Sequence, residues 1–134
     1  MALVVPTTSQ LTLLQWLLKD TSNTESLTLR LFSSNTTPTI ASTYASFTEA
    51  TFTGYASKTL TRGNWTAPAT VDDVATTTQP EQSWSVGSDQ TIYGYTITDS
   101  DDVLLWAERF STPKNLVTSS TFELTPRFEL GSAD

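Results

Sequence analysis

The stretch TIYGYTITDSDDVLLWAERF, residues 91–110, places two runs of β-branched, aromatic and aliphatic residues on either side of Asp99-Ser100-Asp101-Asp102. Runs of this kind, separated by residues that bond their own backbone, read as two strands and a turn, a β-hairpin. The strands are expected over about Thr91 to Thr98 and Val103 to Phe110. In extended chain alternate side chains share a face. Tyr93, Tyr95 and Ile97 are therefore expected on one face of the first strand, and Leu104, Trp106, Glu108 and Phe110 on one face of the second. Gly94, between the two tyrosines, signals a bulge or the close approach of another backbone.

The same period of two extends in both directions from this hairpin. Leu27, Leu29 and Leu31 alternate with Thr28 and Arg30, the pattern of a half-buried strand. Further strands are expected over about Thr51 to Tyr55, Ser57 to Thr61, Gln82 to Val86 and Thr121 to Leu130. Pro126 cannot donate to a ladder, so the last of these is expected at a sheet edge or bent. Clusters of Thr, Ser, Asn, Pro and Gly lie between the runs at short spacing, which is the layout of a mainly β chain: an antiparallel β-sandwich of about seven or eight strands.

Only the N-terminus breaks the pattern. Thr7-Thr8-Ser9-Gln10 fits a capping box, and Leu11, Leu13, Leu14, Trp16, Leu17 and Leu18 follow at helical spacing, so one α-helix is expected from about Thr8 to Lys19. The 134 residues form one expected domain, with the N-terminal segment and helix at about 1–20 and the sandwich at about 26–130.

Composition excludes much chemistry. The chain has no Cys and no His, which removes disulfides, thiolate nucleophiles, imidazole bases and their zinc and haem sites. Fourteen acidic residues against seven basic ones give a formal charge of −7, and the cations are scattered singly, so no nucleic-acid or anionic-membrane partner is expected. No run approaches the roughly 20 apolar residues of a membrane span, and the apolar start lacks a basic leader region, so synthesis is expected in a cytoplasm. No cofactor is expected.

The remaining candidates are weighed by chemistry. Asp99, Asp101 and Asp102 could ligate Ca²⁺, yet an EF-hand counted from Asp99 needs Gly and Glu where Leu104 and Phe110 stand, which favours a plain hairpin turn. Glu49, Glu108, Glu123 and Glu129 are the carboxylates on or beside strands that could serve as a hydrolytic pair. Nothing in their spacing singles out a pair, and an ion pair from Glu108 to an Arg such as Arg109 or Arg30 is the simpler expectation. Trp16, Trp65, Trp84 and Trp106 could form a sugar platform, or fill the core. No catalytic residue is expected, and the chain is not expected to be an enzyme. The N-terminal apolar residues Leu3, Val4, Val5, Leu11, Leu14 and Leu18 either cap the chain's own core or form an interface, and the interface is the favoured assignment.

Three segments carry a family resemblance: Met1-Ala2-Leu3-Val4-Val5-Pro6; Phe47-Thr48-Glu49-Ala50-Thr51-Phe52-Thr53-Gly54-Tyr55; and Tyr93-Gly94-Tyr95 followed by Leu104-Leu105-Trp106-Ala107-Glu108-Arg109-Phe110. Together they resemble small tailed-phage virion proteins. The resemblance implies a jelly-roll-like sandwich, often trimeric, located in the virion and acting as a capsid decoration or cement protein on the major capsid protein or other virion proteins. It brings no catalytic residues. The alternative of another class is a tail- or fibre-associated domain that binds carbohydrate or a receptor.

Overall fold

The computed structural model describes residues 3–6, 9, 26–67, 69–71 and 74–130. Ten strands are present among them: β1 (Leu3–Val4), β2 (Leu27–Phe32), β3 (Lys58–Leu60), β4 (Ala69–Val71), β5 (Val74–Thr78), β6 (Gln82–Val86), β7 (Gln90–Thr98), β8 (Leu104–Leu116), β9 (Ser120–Leu124) and β10 (Arg127–Leu130). All pairings are antiparallel. They build a five-stranded sheet in the order β1-β8-β7-β2-β3, a three-stranded sheet β10-β5-β4 and a two-stranded sheet β6-β9. The chain is mainly β, as the alternating pattern required.

The core follows from that alternation. Leu27, Leu29 and Leu31 point from β2 into the same buried cluster as Tyr95 and Ile97 of β7 and Trp106 and Phe110 of β8. The small sheets cover this face of the large one. Trp84 of β6 meets Phe122 of β9 at 5.8 Å between ring centroids, Phe122 meets Phe110 at 6.3 Å, and Phe128 of β10 meets Trp106 at 4.7 Å. Each such pair is worth about 0.5–1.5 kcal/mol beyond the area it buries. On the opposite face of the large sheet a second cluster joins Phe32, Phe47, Leu104 and Ala107, with Tyr93 packed beside it.

The β7–β8 hairpin forms with its expected turn chemistry. The Asp99 carboxylate accepts the N–H groups of Asp101 and Val103, each at 2.9 Å, and Asp102 takes a left-handed φ of 59°. Its faces, however, differ from strict alternation because the register shifts twice. Ile97 pairs with Trp106 but Thr98 with Leu104, so Leu105 is an extra residue and Leu104 turns to the face opposite Trp106. Farther along, Ile92 pairs with Lys114 and Gly94 with Arg109, which leaves Phe110-Ser111-Thr112-Pro113 opposite Tyr93 alone. Pro113 has no N–H to give the ladder, and Tyr93 is thrown onto the face opposite Tyr95. Gly94 fits the expected close approach: a β-carbon there would lie 2.6–2.7 Å from the Phe32 ring and would strike the Glu108 carbonyl.

Other expectations change. The segment Thr51 to Tyr55 is a turn, since Gly54 adopts φ 92° and the Tyr55 N–H bonds the Phe52 carbonyl at 3.0 Å. The run Thr121 to Leu130 splits at Pro126 into β9 and β10, which join different sheets. Strands β1, β4 and β5 were not expected, because LV, ATV and VATTT are too short or too poor in large apolar residues to show a pattern. The count is therefore ten, above the seven or eight expected. The helix expected from Thr8 to Lys19 lies outside the described residues except for Ser9, whose hydroxyl donates to the Leu104 carbonyl. Short 3₁₀ segments stand at Tyr44–Ser46 and Arg62–Asn64.

Candidate functional site

Two groups are built from the same three residue types, Glu, Tyr and Arg. The first ties the large sheet to β10. Glu108 lies on β8 with its side chain 4% exposed and receives the Tyr95 hydroxyl at 3.0 Å and the Arg127 guanidinium at 3.2 and 3.3 Å. Arg127 also reaches Glu129 at 2.9 Å, and its backbone carbonyl accepts the Trp106 indole N–H at 3.1 Å and the Tyr95 hydroxyl at 3.3 Å. Burial, then the Glu108 charge, pushes the Tyr95 phenol far above its ordinary range. For Arg127, burial opposes the charge, but hydrogen bonding to Glu108 and the charges of Glu108 and Glu129 outweigh it and raise its pKa.

The second group binds the 44–55 segment to β2. Glu49 receives the Tyr55 hydroxyl at 2.8 Å and the Tyr44 hydroxyl at 3.1 Å, and stands 3.7 Å from the Arg30 guanidinium. Arg30 stacks on Tyr44 at 4.8 Å, donates to Thr98 at 2.6 Å and pairs with Asp102 at 2.8 Å. The Tyr55 hydroxyl in turn accepts the Leu31 N–H at 3.2 Å. Burial, then hydrogen bonding to Glu49, pushes the Tyr55 phenol well above its ordinary range, and burial followed by the Glu49 charge raises Tyr44.

Of the four candidate carboxylates, the structure thus brings Glu108 and Glu129 together, but with an arginine between them. A catalytic pair needs one carboxyl kept protonated beside an accessible reacting bond. Here Glu108 is buried and held by a cation, the arrangement of a structural ion pair. The expectation of an Arg partner for Glu108 holds in kind, while Arg127 takes the place of Arg109 and Arg30. Arg109 instead lies over Tyr93 at 5.3 Å and bonds Asn35. Arg127 was legible only in part: it stands two residues from Glu129 on one strand, which puts the two on one face, but its reach to Glu108 depends on how β10 docks.

The aromatic residues are engaged too. Trp84 and Trp106 are buried, and Trp65 packs on Trp106 at 5.9 Å. Cations already lie over three rings, with Lys58 at 5.2 Å from Trp84 in addition to Arg30 on Tyr44 and Arg109 on Tyr93. Trp16 lies outside the described residues. Among the described residues no group of three or more Asp or Glu is placed to hold a metal ion. Of the apolar residues expected at an interface, Leu3 and Val5 pack against the main core of the same chain, and Val4 pairs with Ala107 in the sheet. Leu11, Leu14 and Leu18 lie outside the described residues.

An open hollow of about 220 Å³ lies at the hairpin end of the large sheet, lined by Ser42, Thr43, Tyr44, Asp102, Val103 and Leu104. No protein-family model, no curated protein and no solved structure matches the chain.

Proposed function

We propose that this chain is a structural protein of a tailed-phage virion, a jelly-roll-like β-sandwich that decorates or cements the head by contact with the major capsid protein and with copies of itself. The observation that carries this reading is the engagement of Glu108, Glu129 and Glu49, the carboxylates suited to catalysis, in internal Glu–Tyr–Arg ties. A chain whose ionisable groups hold its own strands together is suited to binding by shape, not to turnover. The segments behind the resemblance support the same reading. Phe47, Tyr93, Leu104 and Ala107 meet in one cluster, so what the resemblance shares is framework.

Co-sedimentation tests it directly. Purified chain mixed with tailed-phage heads stripped of their accessory proteins is expected to sediment with them in a fixed ratio to the major capsid protein and to give symmetry-ordered density by cryo-electron microscopy. Failure to sediment with any head particle overturns the proposal. The carbohydrate-binding alternative requires open aromatic faces, and the cations over Tyr44, Trp84 and Tyr93 weigh against it. A tryptophan fluorescence change on adding glycans would favour it instead.

A further inference from the structure

The two ends of the β7–β8 hairpin differ in a way that suits one to the other across two molecules. At the turn end lies the open hollow of about 220 Å³, with Tyr44 and Leu104 among its walls. Asp102 at its rim has its side chain 54% exposed, with one oxygen on Arg30, and Asp101 beside it is exposed as well. Val103, 40% exposed, lines the hollow, and Ile40, 65% exposed, stands two residues before the lining residue Ser42 in the chain. The end is therefore acidic, partly apolar and concave.

The opposite end carries an irregularity. Opposite Tyr93 the four residues Phe110–Pro113 bulge out of the ladder, and residues 111–115 are all exposed. Lys114 follows the bulge, paired with Ile92 and exposed, with exposed Val117 three residues beyond it. Arg30 and Arg127 are ion-paired, and Lys58 and Arg109 lie on rings. Lys114 alone, among the cations whose side chains are described, has no intramolecular partner.

We infer that the hollow at Tyr44, Asp102 and Val103 receives the exposed 111–115 segment of a second copy of this chain, led by Lys114, in a head-to-tail contact. The ammonium would sit against Asp101 and Asp102 while Val103 and Ile40 cover the apolar flank of the segment. An exposed ion pair contributes little by itself, so its work here is to set orientation, and burial of the flanking residues supplies the affinity. A contact between two different surfaces repeats from copy to copy, and closes into a ring when the rotation allows. This inference rests on the self-association in the proposed function, but on no part of the capsid contact.

Zero-length carbodiimide crosslinking separates the possibilities. Within one molecule Lys114 pairs with Ile92, six residues along β7 from Thr98 at the hairpin end. That is about 20 Å at 3.4 Å per residue, so a Lys114–Asp101 or Lys114–Asp102 crosslink must join two molecules. The expected result is a crosslinked oligomer that yields this peptide pair, is lost in Lys114→Glu, and returns in the charge swap Asp101→Lys with Lys114→Glu. A chain that stays monomeric at its solubility limit, or an oligomer crosslinked elsewhere and indifferent to Lys114→Glu, overturns the inference. Binding to heads without this crosslink would discard the contact and keep the virion reading; the crosslink without head binding would do the reverse.

Discussion

The Glu108 and Glu49 groups are built from the same three side chains, yet they differ in what surrounds them. Glu108 lies between two sheets with 4% of its side chain exposed, whereas Glu49 keeps 34% exposed beside a surface segment. Glu108 makes two contacts with Arg127 at hydrogen-bonding distance, whereas Glu49 stands 3.7 Å from Arg30 and relies on two phenols. Glu108→Gln puts a neutral amide into a buried site beside Tyr95 and leaves Arg127, 34% exposed, with Glu129; Glu49→Gln makes the same change in a half-exposed site and leaves Arg30, 16% exposed, with Asp102. Burial, more than residue identity, should set what each group contributes.

The largest expected effect is at Glu108. Glu108→Gln should destabilise the chain by about 2 kcal/mol in urea unfolding, below the roughly 3–5 kcal/mol of a fully buried pair because Arg127 is partly solvated. Tyr95→Phe comes next. It removes a hydroxyl that serves both Glu108 and the Arg127 carbonyl, and should cost about 1.5 kcal/mol against about 1 kcal/mol for Tyr55→Phe. Both phenols have folded-state pKa values raised above the ordinary 10.0. Their stabilising contribution is therefore full below pH 10 and lost as pH rises beyond it, where the unfolded chain ionises first. Unfolding followed from pH 9 upward should show stability falling above about pH 10, and the fall should be shallower in the double variant Tyr55→Phe, Tyr95→Phe. Smallest is Glu49→Gln, expected to cost under about 1 kcal/mol. A loss at Glu49 equal to that at Glu108 would break the comparison.

The same contrast explains what the sequence made legible. Period-two runs with large apolar residues, such as Leu27 to Leu31 and Gln82 to Val86, became strands where expected. Pro126 and Gly94 correctly marked a bend and a close approach, because each acts through its own backbone. The facing of Tyr93 and Leu104 was not legible, since it depends on register shifts set by the partner strand. Nor was the Glu108–Arg127 pair, which joins residues 19 positions apart through the docking of β10 on Trp106. Long-range ties of this kind are decided by packing, whereas turns and alternation are decided locally.

Thermal unfolding of Glu108→Gln checks whether this buried carboxylate holds the fold together. The expected melting temperature is lower by roughly 6–10 °C than that of the unaltered chain, from about 2 kcal/mol lost in a domain of this size. A functional carboxylate is commonly kept at a cost to stability, so its removal leaves the fold unchanged or firmer. A melting temperature for Glu108→Gln equal to or above that of the parent would contradict the structural role assigned to it.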